Sequence, residues 1–109
     1  MTLELLYLAG CPNHEATVEL VQRVLGAEGM AVEVRQTLIC NHEEANAHGF
    51  PGSPTVRVNG RDIEKLAAAR LGVGFACRTY FVDGRAQGVP PRCWLEEAIR
   101  AARKQEGQP

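Results

Sequence analysis

The stretch G-S-P-T-V-R-V-N-G-R-D-I, residues Gly52 to Ile63, decides the fold. Thr55-Val56-Arg57-Val58 is rich in β-branched residues and reads as a strand. Asn59-Gly60 is the strongest two-residue hairpin signal, because both residues tolerate the positive φ that a tight turn needs. Arg61 to Ile63 should therefore return antiparallel. Just upstream, Gly49-Phe50-Pro51-Gly52-Ser53-Pro54 is a glycine- and proline-rich loop.

Working outward toward the N-terminus, Leu3 to Ala9 is apolar nearly throughout, as expected of a strand buried on both faces. Pro12 suits the first turn of a helix, where its missing N–H costs nothing, and this puts Cys11 at or beside the N-cap. Val18, Val21, Val24 and Leu25 recur at helical spacing, and Glu15 and Glu19 sit where the helix dipole favours negative charge. Gly26 and Gly29 should end that helix. The alternation from Met30 to Gln36 predicts a second strand. Asn41 to His48 predicts a short helix capped by Asn41, with Glu43 and Glu44 in its first turn.

Working outward toward the C-terminus, Glu64 to Leu71 is weakly helical. Gly74 to Val82 carries β-like residues and ends at the turn signal Asp83-Gly84, so it is either a second small hairpin or an irregular excursion. The last helix starts near Pro90-Pro91 and presents Trp94, Leu95, Ala98, Ile99 and Ala102 on one face. From Gln105 on, the chain is expected to fray. A strand, a crossover helix and a strand give a right-handed parallel pair, and the hairpin adds two antiparallel strands at one side. The expected fold class is thus α/β. It is a four-stranded mixed sheet in the order β-α-β-α-β-β-α, with helices on both faces and an excursion before the last helix.

The chain has 109 residues, which suits one domain spanning residues 1–109. Hydrophobic residues make up 45% and charged residues 23%, as in ordinary globular proteins. A net charge of -1 gives no electrostatic reason to expect a nucleic-acid or membrane partner. The first residues, M-T-L-E-L-L, lack a basic region and carry Glu4, so no secretion signal is read and a cytoplasmic location is expected. The four cysteines, Cys11, Cys40, Cys77 and Cys93, are well separated, unlike a disulfide-stapled secreted miniprotein.

Two motifs, taken with the element order, resemble the thioredoxin-like superfamily. One is Cys11-Pro12-Asn13-His14 at the first strand-to-helix junction, and the other is Gly52-Ser53-Pro54-Thr55-Val56 before the hairpin. More narrowly, the pattern looks like a small bacterial group of thioredoxin-family proteins with G-C-P-x-H, G-S-P-T and a late C-R-x-Y followed by G-V-P-P. Here the last two are Cys77-Arg78-Thr79-Tyr80 and Gly88-Val89-Pro90-Pro91. Some members of that group carry an alkylmercury-lyase label. The resemblance runs from Leu3 to Ile63 and over the final helix, and does not cover Lys65 to Val89. It implies a cis peptide bond at Pro54, packed against the active-site cysteine. It also implies a substrate groove at Ser53, Pro54 and Thr55 whose exposed backbone pairs with an extended peptide or a glutathione-like ligand. The sequence departs from thioredoxin where the second motif cysteine would stand, because that residue is His14.

The chemistry centres on Cys11. A thiolate is the nucleophile, and the unpaired N–H groups at a helix start favour that form. His14, one turn on, can stabilise the thiolate as a cation, take the thiol proton, or protonate a leaving thiolate. A mixed disulfide on Cys11 needs resolving, and Cys77, Cys40, Cys93 or a small external thiol can do it. Cys77 is favoured, since it belongs to C-R-x-Y and Arg78 beside it can hold an anion or a thiolate. Cys93 reads as a core or helix-surface residue. Cys11 and His14 form half of a zinc pattern, but Cys77 and Cys93 are sixteen apart and supply no second half. No metal and no cofactor are therefore expected.

Three functions follow. The first is a thiol-dependent redox protein using Cys11, His14 and Cys77 on a small thiol or protein disulfide. The second is a soft-metal or organomercurial handler with Cys11 and Cys77 as ligands. The third is a non-catalytic adaptor on the same fold.

Overall fold

The computed structural model describes residues 1–65 and 67–107. Its centre is β1 (Leu3–Tyr7), which pairs parallel with β2 (Val34–Leu38) and antiparallel with β3 (Thr55–Val58). The Asn59-Gly60 turn, with φ of 52° and 79°, returns the chain as β4 (Arg61–Asp62). The sheet is mixed and four-stranded, in the order β2-β1-β3-β4.

Successive residues of a strand point to opposite faces, and β1 supplies two separate cores in this way. Leu3 and Leu5 pack with Val21, Val24 and Leu25 of α1 (His14–Ala27) and with Leu95, Ile99 and Ala102 of α4 (Arg92–Glu106). On the other face Leu6 meets Ile39, Phe50 and Ala45 of α2 (His42–His48). Each such aliphatic side chain contributes about 1.5–3 kcal/mol on burial, so β1 is anchored on both of its faces. The expected face of α4 is the observed one, with Trp94 and Ala98 at its margin. Asn41 caps α2 by accepting from the Glu44 N–H at 2.8 Å.

Several boundaries differ from the sequence reading, among them the end of β1 at Tyr7 instead of Ala9 and the end of β2 at Leu38 instead of Gln36. The helix after β1 starts at His14, because two tight turns come first. Gly10 has a φ of 74°, the Cys11 N–H donates to Leu8 O at 3.2 Å, and the His14 N–H donates to Cys11 O at 3.3 Å. Pro12 thus belongs to the turn, and Asn13 is the N-cap. The second strand begins at Val34, not Met30. Gly29 (φ 68°) and a bond from Met30 N–H to Leu25 O bring the chain along the core edge, and the ladder opens only where Val34 reaches Leu3. At the other end α4 continues through Glu106, past the expected fraying point. Gln108 and Pro109 of the expected tail lie outside the described residues.

Of the segment Glu64 to Leu71, α3 (Ala67–Arg70) is a single helical turn, and Leu66 lies outside the described residues. The excursion forms the small hairpin. In it β5 (Tyr80–Val82) and β6 (Arg85–Gln87) make a separate two-stranded sheet around Asp83 (φ 52°) and Gly84 (φ 79°). No described helix is long and apolar enough to cross a membrane.

Candidate functional site

Antiparallel pairing of β1 with β3 brings the chain leaving β1 beside the chain entering β3. The turn carrying Cys11 and the loop Gly52-Ser53-Pro54 therefore share one end of the sheet. A hydrogen bond fixes them together, as the Leu8 N–H donates to Ser53 Oγ at 3.0 Å. The Ser53–Pro54 peptide bond is cis, as the resemblance implied.

The excursion closes the other side of that loop. Ser53 N–H donates to Ala76 O, and Arg78 N–H donates to Ser53 O, both at 2.9 Å, which pairs Ser53 with Cys77 in a parallel bridge. A further bond, from Gly74 N–H to Phe50 O at 2.9 Å, continues the contact upstream. Ser53 is thus held through its backbone by the residues on either side of Cys77, and through its hydroxyl by Leu8, three residues before Cys11. Cys11 is partly exposed, Cys77 is exposed, and both are free thiols.

The expected open groove is a different object in the structure. Ser53, Pro54 and Thr55 are all buried. Thr55 Oγ1 donates to Gly52 O at 2.6 Å and accepts from Arg78 at 3.0 Å, and Pro54 O accepts from the Tyr80 hydroxyl at 2.6 Å. The exposed backbone foreseen at Ser53 is taken by the chain's own residues 76–78.

Arg78 also departs from expectation. Its side chain turns inward, fully buried, and pairs with Asp62 at 2.7 and 3.0 Å and with Glu64 at 3.1 Å. Its guanidinium lies 4.4 Å from the Tyr80 ring centre. Burial disfavours the Arg78 charge, but Asp62 and Glu64 outweigh it and hold its pKa above the usual value. The same inward position raises the Tyr80 pKa, chiefly through burial. Arg78 therefore has no free charge for an anion or a thiolate. Alternation along the segment sends Arg78 in and its neighbour Cys77 out.

No family model, curated protein or solved structure matches this chain. What the site can do rests on its own geometry.

His14 is held firmly, but toward β2. Its ring stacks on Tyr7 with centroids 3.7 Å apart and planes 3° off parallel, and Nε2 shares a 2.7 Å hydrogen bond with Gln36 Oε1. Its ring makes no described hydrogen bond to the Cys11 thiol. Tyr7 and Gln36 are thus partners of the motif that its spacing did not reveal. Asn13 is met from the other side by Gly88, where an added Cβ would run into the Asn13 amide. G-V-P-P therefore lies against C-P-N-H, and both late motifs bound the Cys11 end of the sheet.

The other cysteines are less well prepared. Cys40 is exposed at the end of β2, and its N–H donates to Glu44 Oε2 at 2.7 Å. Lost hydration and the Glu44 carboxylate push its thiol pKa up, which makes it a poor thiolate at neutral pH. Cys93 is exposed in the first turn of α4, a helix-surface position. Among the described residues, no three His, Cys, Asp or Glu side chains gather as metal ligands. Cys11, His14, Ser53 and Cys77 do not line the main clefts among the described residues, which measure 310–490 Å³. Cys11 is partly exposed and Cys77 exposed.

Proposed function

We propose that the chain is a thioredoxin-like thiol-dependent redox protein that acts on disulfides or thiol adducts through Cys11. The observation that carries this reading is the Ser53 loop, bonded both to the segment bearing the free Cys77 and to Leu8, where the chain turns toward the free Cys11. The sheet order and the C-P-N-H turn beside the Ser53 loop support the same reading.

In the proposed reaction the Cys11 thiolate attacks one sulfur of a substrate disulfide. The substrate S–S bond breaks, one substrate thiolate leaves, and it takes a proton. Cys77 then attacks Cys11 Sγ, releasing the second substrate thiolate. The protein ends with a Cys11–Cys77 disulfide, and its two thiols have supplied the two electrons. A small-molecule thiol reductant restores both cysteines. His14 serves the Cys11 end from the orientation that Tyr7 and Gln36 impose. The bridge between Cys77 and Ser53, together with Glu44 acting on Cys40, supports Cys77 as the resolving thiol.

The test is iodoacetamide labelling of each cysteine in the reduced protein, followed against pH by mass spectrometry. Cys11 is expected to label fastest at neutral pH. Labelling no faster than at Cys40 or Cys93 would overturn the reading. The same pair of thiols also supports a second reading, capture of a two-coordinate soft ion such as mercury(II). That reading requires tight one-to-one binding that disappears in Cys11→Ser and in Cys77→Ser alike.

A further inference from the structure

An extended peptide binds a sheet edge by pairing with the free N–H and C=O groups of alternate residues. Next to Cys11 that edge is Ser53, and both of its backbone groups are already bonded to Ala76 and Arg78. Among the described residues the next unpaired edge is that of Cys77 itself, one strand spacing of about 4.8 Å further out.

The segment filling the edge is built in. Its Arg78 side chain is fully buried against Asp62, Glu64 and Thr55, and the Tyr80 hydroxyl holds the Pro54 carbonyl. Gly52 lets the two chains meet closely, since an added Cβ there would stand 2.9 Å from Arg78 Cβ. Swinging residues 76–78 away would strip a buried guanidinium of its carboxylate partners, an arrangement far costlier than a loop opening.

From this we infer that the substrate class of the Cys11 site is the small-molecule disulfide or thiol adduct, not the extended polypeptide. This inference rests on the thiol-exchange reading above. A small disulfide needs only access to the Cys11 sulfur, and Cys11 is partly exposed. A peptide disulfide loses the strand pairing that would hold it there. The exchange itself is the one already balanced, in which Cys11 takes one half of the small disulfide and Cys77 releases it as a thiol.

The test uses the full chain with Cys77→Ser, an exposed position at which serine keeps the backbone bridge. Without the resolving thiol, the mixed disulfide on Cys11 accumulates and is read by intact mass and peptide mapping. The probes are glutathione disulfide and a decapeptide whose central cysteine carries glutathione through a disulfide. Free cysteine reacting with the same two probes gives the intrinsic ratio. Relative to it, Cys11 is expected to favour glutathione disulfide at least tenfold. A ratio equal to that of free cysteine, with both adducts on Cys11 forming faster than on Cys93, overturns this inference and leaves the thiol-exchange reading standing. Adducts forming on Cys11 no faster than on Cys93 overturn both.

Discussion

Replacing Arg78 with methionine tests the device that holds the Cys77 segment in place. The guanidinium is fully buried and meets Asp62, Glu64 and Thr55. Removing one member of a buried ion pair costs about 3–5 kcal/mol, because the remaining charge is left without its partner. The lower end applies here. Glu64 keeps Arg70 at 2.5 and 2.8 Å, and Asp62 keeps the Glu64 N–H at 2.8 Å. Methionine also fills much of the volume. With a urea slope of about 1.5 kcal/mol/M, a loss of roughly 3 kcal/mol moves the unfolding midpoint down by about 2 M. Acid should narrow the difference from the unsubstituted protein. The Arg70 hydrogen bond first, and then Arg78, hold the Glu64 carboxyl below its ordinary value of 4.5. A depressed carboxyl contributes stability above that ordinary value and loses it as pH falls through the lower folded value. The gap between the two proteins should therefore shrink as pH falls through the lowered folded value of Glu64. The assay is urea unfolding of both proteins at pH 7 and at descending acid pH. A loss under about 1 kcal/mol at pH 7, or a gap that widens in acid, would refute the buried-network account. A second readout concerns function. In Arg78→Met the edge at Ser53 loosens, so the peptide probe should gain on glutathione disulfide at Cys11.

Gly52→Ala places a Cβ 2.9 Å from Arg78 Cβ at a φ of 137°. A stability loss of about 2–4 kcal/mol is expected from the clash and the strained backbone, and an unchanged melting temperature would contradict it. Glu44→Gln removes the carboxylate that raises the Cys40 pKa together with lost hydration, so Cys40 should alkylate faster at neutral pH while Cys11 keeps its rate. His14→Ala and Gln36→Ala should both slow exchange at Cys11, with stability losses under about 1.5 kcal/mol. A slowdown in His14→Ala alone would show that the ring orientation set by Gln36 is immaterial.

The sheet was legible where local chemistry is strong. Asn59-Gly60 permits a tight turn with two positive φ values, Asn41 can cap the helix that follows it, and the apolar run of β1 leaves no face for solvent. Boundaries were less legible where tertiary contacts decide them. Val32 and Val34 belong to one alternating run, yet only Val34 has a partner on β1. Pro12 fits a first helical turn as well as it fits the tight turn it occupies, and the hydrogen bond from Cys11 to Leu8 settles the matter. At the candidate site, Cys11, His14, Ser53, Pro54, Thr55 and Cys77 could be named from motifs, but not their directions. That Arg78 turns inward depends on Asp62 and Glu64, sixteen and fourteen residues away. The alternation within Cys77-Arg78-Thr79-Tyr80 was the available signal, since it puts arginine and tyrosine on one face and the cysteine on the other.

The β5–β6 hairpin is fastened at both of its roots and free at its tip. The Arg78 N–H and the Tyr80 hydroxyl tie the incoming chain to the carbonyls of Ser53 and Pro54, and Gly88 rests on Asn13 where the chain departs. Asp83, Gly84 and all of β6 face solvent. Lengthening a loop costs only about 0.6 kcal/mol per doubling, so this tip is a natural attachment point for a reporter. A fluorophore carried there would sense rearrangement of the roots, one of which bears Cys77, while leaving both sulfurs unencumbered.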